Sequence, residues 1–401
     1  MNHDVAIVGG GIIGLATARA LLQQRPELDL LVLEKEPEVA RHQSGRNSGV
    51  LHSGLYYQPG SLKAALCVEG AAMMVEFCQQ HDIAYTRDGK VVIATGESER
   101  ARLDELERRG RANGLTGMRR IGAGELREIE PHAAGTDALF VPSTGAVDFQ
   151  AVTRALASTI SGRGAKVAVG AALQSATPDG PGWRLIHTRG EATARVVVNC
   201  AGLYSDRVAG LMGVDPPVRI VPFRGEYLTV RPKARSFVNS SIYPVPDPTL
   251  PFLGVHLTRR HDGTVEAGPN AVFAWAREGY RRTTVDLPEV WDALSYPGTR
   301  RLFRAHWRSG LSELARSVSK RLFTRAVQRL VPDLQAEDFV GGHSGVRAQA
   351  LTPDGQLADD FVISSTENAV HVLNAPSPGA TSSLAIGRSL AATVLEKVPP
   401  R

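Results

Sequence analysis

Gly9, Gly11 and Gly14 stand two and then three residues apart, directly after the apolar run Val5-Ala6-Ile7-Val8. This is G-x-G-x-x-G spacing, and each position has a job in holding a pyrophosphate. Gly9 permits a tight turn, and Gly11, beside Ile13 in the same turn, lets backbone approach the phosphates. Gly14 lets the following helix pack close to a sheet, with its N-terminal amides and positive dipole end aimed at the anion. A second apolar run, Leu28 to Leu33, ends in Glu34, with Lys35 after it. Glu34 can accept hydrogen bonds from both hydroxyls of a ribose, which argues against a 2′-phosphate. Together these residues predict a bound adenine dinucleotide.

The elements that must position them follow in the expected order of strand, turn, helix, strand and acid. Beyond Lys35 the chain departs from the pattern of an NAD-binding fold. Small and hydroxyl residues crowd 41–54, and Ser44, Asn47 and Ser48 are suited to hold a second phosphate and a ribityl chain. A glycine-rich surface loop is the plainer alternative. Further on, the buried-strand pattern Arg195 to Cys200 closes in Ala201-Gly202, small residues that let backbone meet a ligand, and a helix starts near Ser205. A last strand, Ala369 to Leu373, leads through Gly379, Ala380 and Thr381 to a helix over about 384–396. That turn has anion-binding geometry suited to the electron-rich edge of a reduced flavin, so FAD is the expected cofactor.

The 401 residues are too many for one simple core, and two domains are expected. The first strand begins after three residues, leaving no room for a signal peptide, and no apolar run is long enough to span a membrane. Cys67, Cys78 and Cys200 stand isolated in apolar surroundings and read as reduced, buried residues, in keeping with a cytoplasmic setting. With no paired Cys/His cluster, no metal site is expected.

The arrangement resembles the D-amino-acid oxidase/glycerol-3-phosphate dehydrogenase superfamily of FAD-dependent oxidoreductases, and within it the L-2-hydroxyglutarate dehydrogenase (oxidase) family. The resemblance is carried by GGGIIG at 9–14, HQSGRNSGVLHSGLYYQPGSLKA at 42–64, PFRGEYL at 222–228, PFLGVHLTR at 251–259, GPNAVFAWAREGYR at 268–281, GVRAQA at 345–350 and NAPSPGATS at 374–382. These segments span nearly the whole chain. They imply an α/β fold, α+β overall: a discontinuous Rossmann-like FAD-binding domain (1–85, 146–215 and 335–401). A substrate-binding domain (86–145 and 216–334) would carry an antiparallel sheet with extra helices.

The reaction so implied is oxidation of L-2-hydroxyglutarate to 2-oxoglutarate. A C2 hydride goes to flavin N5, and the electrons pass on to a quinone-type acceptor, with oxygen as the alternative. The hydroxyl proton needs a base, usually histidine near neutral pH, and each carboxylate wants a cation. His52, after the ribityl-binding segment, and His256, in an apolar strand from Phe252 to Leu257, are the candidate bases. His52 has flavin packing or covalent flavin attachment as alternatives, and His256 that of a hydrogen-bonded core residue. Arg347 and Arg224 are the candidate carboxylate partners, with a structural pair to Glu226 open for Arg224. Tyr243, Arg277, Tyr280 and Arg281 form a second tier, and Asn270 with Tyr280 is placed to close over substrate. A glycerol-3-phosphate dehydrogenase, an amine or amino-acid oxidase, or a non-enzymatic membrane-docked flavin sensor are the rival readings.

One stretch stands apart. Residues 300–330 hold nine Arg/Lys and the single acid Glu313, with apolar residues mostly three or four apart, an amphipathic helical pattern broken near Gly310. Its stripe either packs on the substrate domain or anchors the chain peripherally to anionic lipid on the cytoplasmic face of a membrane. Nucleic acid is not an expected partner, because aromatics do not interleave with the charges.

Overall fold

The computed structural model describes residues 2–248 and 253–399. Five parallel strands form the centre of the first sheet, in the spatial order Lys166–Ala168, Leu30–Leu33, His3–Val8, Gly190–Asn199, Ala369–Asn374. Chain order reverses between His3–Val8 and Gly190–Asn199, so a crevice opens at the carboxyl ends of those two strands, where doubly wound sheets bind ligands. Side chains alternate along His3–Val8. Val5 and Ile7 face the helices Ile12–Gln24, Phe149–Ser161 and Ser383–Leu395. Ala6 and Val8 face an antiparallel extension carrying Trp183 and Leu185, and the helix Ser205–Leu211. The first and last long helices touch so closely that a Cβ on Gly387 would lie 2.6 Å from the Ala16 carbonyl carbon.

A second, nine-stranded sheet roofs the carboxyl ends of the first. Every pairing in it is antiparallel except Lys90–Ala94 against Ser241–Pro244. The sequence reading assigned 335–401 to the cofactor unit, whereas Phe339–Leu351 pairs along its length with Arg219–Val230 in the roof. The strand expected over 252–257 begins at His256, and Phe252 lies outside the described residues. One roof face is an apolar core of Val91, Ile242, Leu257 and Ala267 against Phe323 and Val327 of the helix Lys320–Gln328. By alternation, Lys90, Tyr243 and His256 occupy the other face.

The basic segment is helical, and the break expected near Gly310 falls about one turn earlier. Pro297–Val318 runs through Gly310, departs from helical geometry at His306 and ends at Ser319, which caps the next helix through the Leu322 amide. Helices tolerate an isolated glycine at modest cost, and capping serine is the stronger signal.

Candidate active site

Gly9 adopts φ +111°, and a Cβ there would stand 2.4 Å from the Cys200 carbonyl oxygen. A Cβ on Gly14 would meet the Gly9 carbonyl at 2.2 Å. The turn, the helix start and the end of Gly190–Asn199 therefore close on one another through glycine alone. Glu34 latches this turn from below, its oxygens accepting from the amides of Gly10 (2.8 Å) and Glu36 (2.9 Å). Gly11 caps the helix without a side chain, and Ser44 Oγ accepts from the Ile12 amide at 2.9 Å.

A cavity of about 520 Å³ runs from this turn along the crevice. Gly9, Gly11, Ile13, Glu34, Lys35, Ser44, Ala201, Gly202, Gly379 and Ala380 line it. The remaining four expected cofactor positions stand behind the wall. Gly14 packs helix to sheet. Asn47 braces its own loop, donating to the carbonyls of Gln43 and Ser44 and accepting from the Gly49 amide. Thr381 accepts from the His52 amide and donates to the Val50 carbonyl, tying the last helix to the loop that carries His52. Ser48 follows Asn47 in that loop. The cradle has the length, the glycine-opened helix start and the small-residue walls that a dinucleotide requires.

At the mouth of the cavity, Lys35 binds the carboxylates of Glu36 and Glu278. Glu36, Glu278 and His42 converge within metal-ligand distances of one another, but Lys35 neutralises the acids and His42 bonds Glu36 and the Tyr280 hydroxyl. No motif marks this cluster, because Glu278 comes from a segment far from Glu36 and His42.

The catalytic candidates divide. His52, on the cofactor side, is held by Thr381 through its amide and by Ser377 at its Nε2 (3.2 Å). Desolvation pushes it down to about 3, with repulsion from Lys90, His256 and Lys63 adding to the shift. His256 lies on the roof, stacked on Tyr243 with ring centroids 4.0 Å apart. Burial lowers it to about 4; a hydrogen bond to the Gly254 carbonyl opposes that, and Arg347 and Lys90 reinforce it. Both histidines are therefore neutral at pH 7, the state a proton acceptor requires. Arg347 shares this electrostatic neighbourhood, acting on His256 and on Tyr227.

Arg224 does not join them. It is 4% exposed and donates to Glu226 and to the carbonyls of Gly279 and Arg281. Burial opposes ionisation of Glu226, yet hydrogen bonds from Arg282, Ser317 and Asn270 overcome it and hold the carboxyl at about 2. Arg224 is thus part of a structural network, a correction to its expected role as a substrate partner. Asn270 belongs to the same network, bonding the Glu226 amide and carboxylate, and so is not a closing group. Arg277 is buried against Asp206 (2.6 and 2.9 Å), and Tyr280 is held by His42 and Arg46.

Two residues went unnoticed in the sequence. Tyr56 stacks toward Tyr243, and Lys90 lies buried between their rings, its ammonium pushed down to about 7 by desolvation. A lysine opening an apolar strand, in Gly89-Lys90-Val91-Val92-Ile93, was the available signal. The three cysteines are free, and burial raises their thiols to about 11 or 12.

Comparison with known proteins gives this geometry a lineage. The FAD dependent oxidoreductase family (DAO) matches residues 4–393. The L-2-hydroxyglutarate dehydrogenase of Indibacter alkaliphilus is 46% identical over 99% of this chain and 100% of its own length. That of Escherichia coli (strain K12) is 43% identical over 98% of this chain and 93% of its own. The mitochondrial L-2-hydroxyglutarate dehydrogenase of Homo sapiens is 42% identical over 99% and 89%. In fold, the chain is similar to the L-alpha-glycerophosphate oxidase of Mycoplasma pneumoniae solved with FAD bound, with a TM-score of 0.80 at 22% identity, covering 100% of this chain and 97% of that one. Glycine oxidase from Geobacillus kaustophilus follows with a TM-score of 0.72 at 22% identity, covering 99% and 95%. FAD is thus the cofactor of this protein, and the chain belongs to the L-2-hydroxyglutarate dehydrogenase family of FAD-dependent oxidoreductases.

Proposed function

We propose that this protein oxidises L-2-hydroxyglutarate to 2-oxoglutarate. The observation that carries this reading is the whole-length likeness, at 42–46% identity, to dehydrogenases of that name. Bound FAD supplies the two-electron acceptor for the C2 hydride. His256 takes the hydroxyl proton, and the stacked ring of Tyr243 fixes its orientation. Arg347 pairs with the carboxylate beside the reacting carbon. His52 closes the site from the cofactor side. In this reading 1–85, 146–215 and 335–401 form the FAD-binding domain, with Phe339–Leu351 reaching into the roof, and 86–145 and 216–334 form the substrate-binding domain.

The test is anaerobic mixing of the flavin-loaded protein with L-2-hydroxyglutarate, followed at about 450 nm, where oxidised flavin absorbs. D-2-hydroxyglutarate, glycerol 3-phosphate and glycine serve as controls. Bleaching by the L-hydroxy acid alone is expected; bleaching by a control alone would move the substrate.

Electrons leave, in the same proposal, for a quinone-type acceptor at the cytoplasmic face of a membrane. No helix among the described residues is long and apolar enough to cross one. Support comes from Leu287, Trp291, Trp307, Leu311, Leu314 and Val318, which are 53–75% exposed beside the nine basic residues of 300–330. Apolar side chains that large and unburied, in and near a segment rich in basic residues, suit the interface of an anionic bilayer.

A further inference from the structure

Lys90 plays no part in the assignments above. It is 1% exposed, and among the described residues it makes no ion pair with a carboxylate. Its Nζ instead stands 4.4 Å from the centre of the Tyr56 ring and 5.0 Å from that of Tyr243. Lysines are almost never fully buried unless paired, because the charged form loses its hydration. Two aromatic faces offset only part of that loss. Such a side chain is prepared for an anion that arrives from outside the fold.

The register of the roof places it. Lys90 pairs with Ser241 and Val92 with Tyr243, and Ile242 pairs with Leu257, which brings Tyr243 beside His256. Farther across the sheet, His256 pairs with Gly268, Leu228 with Ala267, and Phe223 with Arg347. Strands in a sheet stand about 4.8 Å apart. Lys90 therefore springs from two strands to one side of His256, and Arg347 from three strands to the other. Both are near enough for their charges to act on the His256 ring. The roof thus reads cation, histidine, cation. L-2-hydroxyglutarate reads carboxylate, hydroxyl-bearing carbon, two methylenes, carboxylate.

We infer that Lys90 anchors the distal, C5 carboxylate of the substrate and makes the enzyme select a dicarboxylate over a monocarboxylate 2-hydroxy acid. Arg347 is left with the C1 carboxylate. The aromatic rings of Tyr56 and Tyr243 hold the ammonium in place and keep water from it, so a neutral chain end in the same position leaves a buried charge unanswered. This inference rests on the reaction proposed above.

The experiment uses the flavin-loaded enzyme and its K90M and K90R variants, with L-2-hydroxyglutarate and L-2-hydroxyvalerate, the monocarboxylate of equal chain length. The two ring contacts return less than the burial of the charge costs, and methionine packs on the same rings, so K90M is expected to fold and retain flavin. In K90M, kcat/KM for the dicarboxylate should fall on the order of 100-fold, mostly through KM, while the value for the monocarboxylate holds or rises. K90R should recover part of the loss. Binding of 2-oxoglutarate, followed by calorimetry, should weaken in parallel in K90M. Equal losses with both substrates, or none with either, would overturn the assignment of Lys90 while leaving the reaction intact. A wild-type enzyme that oxidises neither acid would overturn the reaction and the anchor together.

Discussion

Arg347 and Arg224 stand on neighbouring rungs of one antiparallel ladder and leave it on opposite faces. Arg347 is the cross-strand partner of Phe223, and Arg224 that of Val346. Side chains alternate along each strand, so the two guanidinia leave on opposite faces: that of Arg347 acts on His256 and Tyr227, and that of Arg224 is bonded to Glu226 and to the carbonyls of Gly279 and Arg281. Two arginines that look equivalent in sequence thus have different work.

Their variants should separate cleanly. Arg347→Ala is expected to raise KM for L-2-hydroxyglutarate about 10- to 100-fold with the unfolding midpoint little changed. Arg224→Ala strips a partner from half-buried Glu226 and should cost about 2 kcal/mol in denaturant unfolding, with KM within about threefold of wild type. Steady-state kinetics and urea titration on the same preparations decide it; a large KM effect from Arg224→Ala would refute the division.

The histidines give a pH signature. A base must be neutral to act, and burial holds His256 at about 4. The acid limb of kcat/KM should accordingly fall below about pH 5, well under the ordinary histidine range. His256→Gln should slow flavin reduction by roughly 100-fold or more and abolish the limb. An acid limb near 6.5 would mean that some other group accepts the proton. Stability moves in the same direction. Unfolded histidine binds a proton below about 6.5, while folded His256 and His52 bind one only near 4 and 3. The unfolded state therefore holds more protons in this window, and stability drains away as pH falls through it. Rates at low pH are best read within seconds of a pH jump.

The exposed apolar row makes a third prediction. Wild-type protein should co-sediment with vesicles containing anionic lipid and less with neutral ones, and salt should release it. Trp307→Ser with Leu311→Ser should abolish sedimentation while anaerobic flavin reduction stays at wild-type rate. Sedimentation that ignores both lipid charge and the double variant would remove the membrane reading.

Legibility in the sequence followed locality. The glycine turn, Glu34 and the hydroxyl-rich loop are short segments whose function depends on spacing along the chain, and ten of the expected cofactor positions line the cavity. His52, His256 and Arg347 are candidates that motif context alone marks. What the sequence hid depends on pairing between distant strands. Arg224 and Arg347 differ only through register, and Asn47 and Thr381 serve backbone groups that no motif displays. Lys90 became visible only when the strand at 241–244 brought Tyr243 alongside it. The helix break lies about one turn from Gly310 for a related reason: Gly310 has a weak intrinsic preference, and Ser319 a specific capping bond.

The contact between Gly387 and Ala16 carries a consequence for how the protein is made. The first helix emerges from the ribosome hundreds of residues before the helix that covers it, and the strand Ala369–Asn374 that completes the sheet is equally late. Until then Leu15, Leu22 and their neighbours have only the partial cover of the helix Phe149–Ser161, and the turn that receives the pyrophosphate lacks its Gly379 wall. Flavin capture therefore waits until the segment 369–395 has been made, and until then that apolar surface is open to aggregation.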